Sequence, residues 1–232
     1  MMAIVAAREL VDGEVVFVGI GLPNLACNLA RRTHAPNLVL IYESGAVGAT
    51  PSRLPVSIGD PALVTGSLMV CGMADVFQLF LQNGRIEVGF LGGAQVDRQG
   101  NINTTVIGPY KKPKVRLPGS GGAAEIAIHA QRILIVAKLS PRGFPARVDF
   151  VTSPGQRVAK VITDKGVLER DKASGDLVLA GLYPGVEIAE VRAGVGWPLQ
   201  SRPRLATLEP PTAAELQLLR DVLDPQRLYL QS

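Results

Sequence analysis

Histidine is nearly absent from this chain, with two residues among 232, and cysteine is equally sparse. A mechanism built on a histidine base has only His34 and His129 to draw on, and both read as surface or helix-end residues. Cys27 and Cys71 lie in apolar stretches without a neighbour at metal-ligand spacing. They read as buried thiols, and no metal site is expected. Aromatic residues make up 5% of the chain while 47% is hydrophobic, so Val, Ile, Leu, Ala and Gly carry the packing. That texture suits parallel strands covered by helices. No apolar run approaches the ~18 residues that cross a bilayer. The opening Met1-Met2-Ala3-Ile4-Val5-Ala6-Ala7-Arg8 also lacks a long apolar core and a cleavage site. A cytoplasmic protein with no membrane partner is the expectation.

A basic stripe interleaved with aromatics, which nucleic-acid binding requires, is missing as well, and no nucleic-acid partner is expected. The net charge of +4 draws anions only mildly. The one basic cluster, Lys111, Lys112, Lys114 and Arg116, has only Tyr110 beside it. A solvated loop and a contact to the phosphates of an anionic cofactor are both open readings.

What is present is an alternation of strand and helix signals. Residues 3–10 read as a helix ended by Asp12-Gly13, and Val15–Val18 as a strand. Gly19-Ile20-Gly21-Leu22-Pro23 turns the chain into a helix over Leu25–Arg32, and Leu38–Tyr42 is a second buried strand. This is a βαβ unit with a right-handed crossover expected. Further on, Ala74–Asn83 and Ala123–Ala130 read as helices, Glu87–Leu91 and Ile133–Ala137 as strands. From about residue 147 the texture turns to β, with strands at Arg157–Thr163 and Leu177–Ala180 and a hairpin turn at Asp171–Gly175. A last helix is capped by Thr212 with Glu215 three residues on, and Asp224-Pro225 stops it. The fold class is α/β, an open, mostly parallel doubly wound sheet with a β-rich C-terminal third. One domain is expected over 1–232.

Ligands of open α/β sheets sit beyond the carboxyl ends of the strands. Three Gly-rich segments fall at such ends, residues 19–23, 43–48 and 92–95, and a fourth, Gly119-Ser120-Gly121-Gly122-Ala123, opens a helix. Gly19-x-Gly21, followed by Glu43 about 20 residues on, partly matches a dinucleotide fingerprint. Asn24 replaces the third glycine, however, and Pro23 removes an N–H from the loop. Glu43 itself stands out, because it ends an apolar run of five residues, where an acid costs desolvation unless it is paired or used. Pairing with an arginine or loop N–H groups and a chemical role both remain open at this level.

Tyr42-Glu43-Ser44-Gly45, Gly92-Gly93-Ala94-Gln95-Val96-Asp97, Gly100-Asn101-Ile102-Asn103 and Gly119–Ala123 occur in this order. With Gly19–Pro23, Val151–Gly155 and Thr163–Val167, they resemble the catalytic β subunits of the family I CoA-transferases, of glutaconate and 3-oxoacid type. The likeness runs from about residue 3 to 230. It departs at Ser44, where the 3-oxoacid type carries asparagine, and at Lys138–Arg142, where the glutaconate type has a His-Glu-basic segment.

The resemblance implies the CoA-transferase/NagB-like fold and a role for Glu43 as the residue that takes up coenzyme A as a thioester. It implies that Gly121, Gly122 and Ala123 present backbone groups to the reacting carbonyl. Ser44, Gly45, Gly21, Gly92, Gly93, Gln95 and Asn101 become walls of the site, and Lys111, Lys112, Lys114 and Arg116 candidates for the CoA phosphates. The implied partners are a homologous α subunit, in a heterodimer or a higher heteromer, and acyl-CoA and carboxylic acid substrates. A carboxylate is ionised at pH 7 and needs no base, which suits a chain so poor in histidine. Hydrolysis or decarboxylation of CoA thioesters on the same fold is the alternative, and a nicotinamide-dependent oxidoreductase stands behind it.

Overall fold

The computed structural model describes residues 1–230. The contacts divide into two compact units. Of the described residues, one holds 1–90, 129–131 and 211–230; the other holds 91–128 and 132–210.

In the first unit the order is α1 (Met2–Arg8), β1 (Val15–Phe17), α2 (Leu22–Arg31), β2 (Val39–Ile41), β3 (Ala46–Val47), β4 (Met69–Val70), α3 (Met73–Asp75) and β5 (Val88–Leu91). Its strands lie in the order β5-β1-β2-β3-β4. β1 is parallel to both β2 and β5, which confirms the βαβ reading, whereas β3 and β4 add on antiparallel. Val16, Phe17, Leu40 and Ile41 are all buried, as expected for strands covered on both faces. Ala3 to Ala7 are likewise all buried, so α1 is an interior helix packed on α2. Pro23 fits the first turn of α2, where its missing N–H is no loss. α3 runs on as a π-wound turn, Val76–Leu81.

The C-terminal helix, Ala213–Gln217, starts at the expected capping box: Thr212 Oγ1 accepts from the Glu215 N–H, and Glu215 accepts from the Thr212 N–H. A two-pronged ion pair from Arg8, at 3.0 and 2.7 Å, holds Glu215. The helix passes into a π-wound turn, Leu218–Leu223, and ends at Asp224, whose carboxylate accepts the N–H groups of Leu228, Tyr229 and Leu230.

The second unit opens with two small hairpins, β6 (Gln95–Val96) with β7 (Ile102–Asn103) and β8 (Val106–Ile107) with β9 (Val115–Arg116). Then come α4 (Ala123–His129), β10 (Arg132–Val136), β11 (Val158–Ile162), β12 (Gly166–Arg170), β13 (Leu177–Leu182), α5 (Ile188–Ala193) and β14 (Ser201–Thr207). β10 and β11 are parallel, β11, β12 and β13 antiparallel, and β13 and β14 parallel. The expected hairpin turn links β12 to β13: the Gly175 N–H donates to Asp171 O at 2.8 Å, with Gly175 at φ 74°. The α/β class and the β-rich C-terminal third therefore stand. No described helix is long and apolar enough to cross a membrane.

Candidate active site

Because β1 and β2 run parallel, their carboxyl ends reach the same edge of the first unit's sheet. The Gly19–Gly21 turn leaves β1 there, and the Glu43 turn leaves β2. Glu43 does not lead into a helix. The Tyr42 N–H donates to Ala46 O at 3.0 Å and the Gly45 N–H to Tyr42 O at 2.9 Å, closing a hairpin turn with Glu43 and Ser44 at its two central positions. Gly45 is the residue that permits it. Its φ is 104°, and a Cβ there would stand 1.9 Å from the carbonyl oxygen of Cys71, which belongs to the segment that pairs with β3.

Glu43 is half-buried and Ser44 exposed. Among the described residues the Glu43 carboxylate has neither an ion-pair partner nor a hydrogen-bond donor. Pairing with an arginine or with loop N–H groups, one of the two readings left open above, is thereby removed for the described residues. Behind the turn, the fully buried Tyr42 hydroxyl donates to Asn24 Oδ1 at 3.1 Å, and the same oxygen accepts from Asn28 Nδ2 at 2.6 Å. Sequence reasoning passed over this chain of bonds. The signal was there in a tyrosine at the end of a buried strand, whose hydroxyl must find a partner.

In the second unit, Gly92 and Gly93 lie exposed between β5 and β6. A Cβ on Gly93 would come 2.3 Å from Ile102 Cγ2, so glycine is required there by β7. Gln95 and Asn101 are scaffold side chains. Gln95 Oε1 accepts from Asn103 Nδ2 at 2.8 Å and from the Asp149 N–H at 3.0 Å. Asn101 Nδ2 donates to Asp97 at 3.1 Å, and its Oδ1 accepts from the Gly155 N–H at 2.9 Å. Both amides thus serve to hold loops.

The Gly119–Gly122 loop is clamped by Thr104: the Gly119 N–H donates to Thr104 O at 2.8 Å, and Thr104 Oγ1 donates back to Gly119 O at 2.7 Å. The Ala123 N–H is taken by Ser120 O at 2.9 Å, which leaves it no free donor. The N–H groups of Ser120, Gly121 and Gly122 have no acceptor among the described residues. Three successive amides ahead of α4 are thus left as donors of the type that can stabilise an oxyanion.

A family model described as coenzyme A transferase matches residues 1–194. The chain belongs to the coenzyme A transferase family. It is 47% identical over 235 residues to a subunit of the 3-oxoadipate CoA-transferase of Pseudomonas knackmussii, covering 95% of this chain and 90% of that one. Among solved structures it is similar to glutaconate coenzyme A-transferase of Acidaminococcus fermentans, at a TM-score of 0.93 and 32% identity, with 100% and 96% of the two chains covered. It is also similar to the decarboxylase AibA/AibB, at a TM-score of 0.89 and 28% identity, with 98% and 95% covered.

This coenzyme A transferase chain thus brings Gly21, Glu43, Ser44 and Gly45 to one sheet edge of its first unit. Gly92, Gly93, Gln95, Asn101 and the Gly119–Ala123 loop belong to the second. On the β8–β9 hairpin, Lys111, Lys112 and Lys114 are exposed and have no acidic partner among the described residues. Arg116 is committed locally, lying 4.8 Å over the Tyr110 ring and donating to Tyr110 O at 3.0 Å, while Tyr110 stacks on Phe150.

Proposed function

We propose that the chain is the catalytic β subunit of an acyl-CoA:carboxylate CoA-transferase and that Glu43 carries coenzyme A as a glutamyl thioester. The observation that carries this reading is the half-buried Glu43 carboxylate, which stands in a glycine-locked turn with no partner among the described residues. A carboxylate left unpaired at such a place is a nucleophile held in reserve.

Glu43 attacks the carbonyl of the donor acyl-CoA, expelling CoA thiolate and leaving an acyl-glutamyl anhydride. The thiolate attacks the glutamyl carbonyl, the donor acid departs as carboxylate, and glutamyl-CoA remains. The acceptor carboxylate then attacks glutamyl-CoA, and the released thiolate cleaves the new anhydride at its acyl carbon, giving acceptor acyl-CoA and free Glu43. The free amides of Ser120, Gly121 and Gly122 have the chemistry of oxyanion donors, each worth about 3 kcal/mol in a transition state. Lys111, Lys112 and Lys114 serve the CoA phosphates, which are distant from the bond that breaks and supply binding energy.

The chain works as one subunit over 1–232 with a homologous α subunit in the cytoplasm, a reading supported by its likeness to one subunit of a 3-oxoadipate CoA-transferase. The same kinship favours a 3-oxo dicarboxylic acid among the substrates. Decarboxylation is the second reading, favoured by the likeness to AibA/AibB.

The test is to coexpress the chain with its α subunit and offer an acyl-CoA donor with 3-oxoadipate or glutaconate. Acceptor-dependent appearance of the new acyl-CoA, with parallel-line kinetics and loss in Glu43→Gln, supports transfer. Thiol release or CO2 loss that ignores the acceptor and survives Glu43→Gln overturns it.

A further inference from the structure

We infer that the buried chain Tyr42–Asn24–Asn28 sets the attack position of Glu43, making Tyr42 and Asn24 positioning residues for the thioester-forming step. This rests on the proposed role of Glu43.

Tyr42 immediately precedes Glu43 and is held at three points. Its N–H and C=O both lie in the turn, bonded to Ala46 and Gly45, and its hydroxyl donates to Asn24 Oδ1 at 3.1 Å. Asn24 is itself buried and bonded. Its Oδ1 accepts a second bond from Asn28 Nδ2 at 2.6 Å, and Asn28 Nδ2 also donates to Asn24 O at 2.9 Å. The Asn28 NH2 fixes the amide orientation, because a flip would set the Asn24 NH2 against it. Asn24 lies in the first turn of α2, three residues after Gly21. The chain is therefore a strut from the helix that follows β1 to the residue that precedes the nucleophile. On the far side, the contact of Gly45 with Cys71 pins the other end of the turn. Both backbone flanks of Glu43 are fixed, and only its side-chain torsions remain to be set.

A merely space-filling role is a poor account of these residues. Tyr42 and Asn24 are fully buried and Asn28 nearly so, and Asn24 Nδ2 has no acceptor among the described residues. Polar groups kept in a dry interior with one donor unfulfilled are less stable there than apolar side chains of the same volume. What they add is geometric. A nucleophile displaced by as little as 1 Å loses roughly a hundredfold in rate, whereas binding of the remote CoA moiety does not depend on the Glu43 turn.

The experiment uses the copurified complex with Tyr42→Phe, which keeps the ring and removes the hydroxyl, and Asn24→Ser, which withdraws the acceptor. Single-turnover formation of the Glu43–CoA thioester is followed by borohydride trapping, alongside kcat, KM and the melting temperature. Tyr229→Phe is the control, since the Tyr229 hydroxyl donates to Pro55 O and serves the fold of the same unit. We expect Tyr42→Phe and Asn24→Ser each to slow thioester formation by roughly tenfold or more, with KM for acyl-CoA within about twofold. The double variant should be no slower than the worse single one, as expected of one strut. Tyr229→Phe should lower the melting temperature and leave the rate alone. If Tyr42→Phe does not assemble, Asn24→Ser carries the same comparison. Wild-type labelling with unchanged rates in the variants, or losses confined to KM, overturns the positioning role and leaves Glu43 standing. Absence of any Glu43 label in the wild type would remove both.

Discussion

Gly45→Ala puts a number on how tightly the Glu43 turn is built. The Gly45 backbone sits at φ 104°, and the new Cβ would lie 1.9 Å from Cys71 O and 2.9 Å from Cys71 C. A side chain in that region of backbone space costs about 1–3 kcal/mol. The clash adds to it, because β4 must retreat from β3 and the Cys71 N–H bond to Gly45 O, now 3.0 Å, is lost at about 1 kcal/mol. Together these make roughly 3 kcal/mol, which in a chain of this size lowers the melting temperature by roughly 6–12 °C. Gly13→Ala separates the two contributions. Gly13 also has positive φ, 85°, but nothing lies within 4 Å of its would-be Cβ. Only the backbone cost applies, the same about 1–3 kcal/mol, so Gly13→Ala should lose less than Gly45→Ala by the clash and the broken Cys71 bond. Thermal unfolding of the two variants in the same complex is the assay. Equal losses would refute the claim that close packing on Cys71, rather than backbone conformation alone, makes glycine necessary at position 45.

Asp60 gives a pH prediction. The Arg53 guanidinium, at 2.7 and 2.9 Å, with the N–H groups of Val56 and Ala62, holds its carboxyl well below the usual carboxylate range. A depressed folded-state value contributes stability that is complete above the unfolded value near ~4 and is lost as pH falls toward the folded one. Asp60→Asn should therefore melt lower than wild type at pH 7, and the two should converge below about pH 4; a constant gap across that range would contradict this. Cys27 is fully buried, and burial pushes its thiol up. Maleimide should label it only after denaturation, as read by peptide mass, and rapid native labelling would contradict its burial. Charge reversal of Lys111, Lys112 and Lys114 to glutamate should raise KM for acyl-CoA, with kcat little changed and the effect shrinking in high salt. An unaltered KM would assign these lysines to a solvated loop.

Much of the fold was legible because long elements carry their own periodicity. The β1–α2–β2 unit, the Asp171–Gly175 hairpin turn and the Thr212–Glu215 capping box all followed from local residue patterns. The two-residue strands β3, β4, β6, β7, β8 and β9 did not, since a period of two cannot be read from two residues. β14 was hidden by its composition: Ser201-Arg202-Pro203-Arg204 looks like a loop, and only its edge position tolerates it. Glu43 was legible as an acid out of place at the end of an apolar run. Its hairpin turn was not, because that turn depends on Cys71, 26 residues beyond Gly45 in sequence. Gln95 and Asn101 read as walls of a site, yet their side chains are engaged by Asp149 and Gly155, each 54 residues distant. No local pattern announces such partners.

Glu43 is proposed to bear coenzyme A as a thioester. The most direct measurement incubates the copurified complex with acyl-CoA, reduces with borohydride, and maps the peptide containing residues 38–53 by mass. Reduction of Glu43 to its alcohol, dependent on acyl-CoA and abolished by prior addition of the acceptor acid, is the predicted result. Consumption of acyl-CoA with Glu43 intact would contradict the account and turn it toward hydrolytic or decarboxylating chemistry.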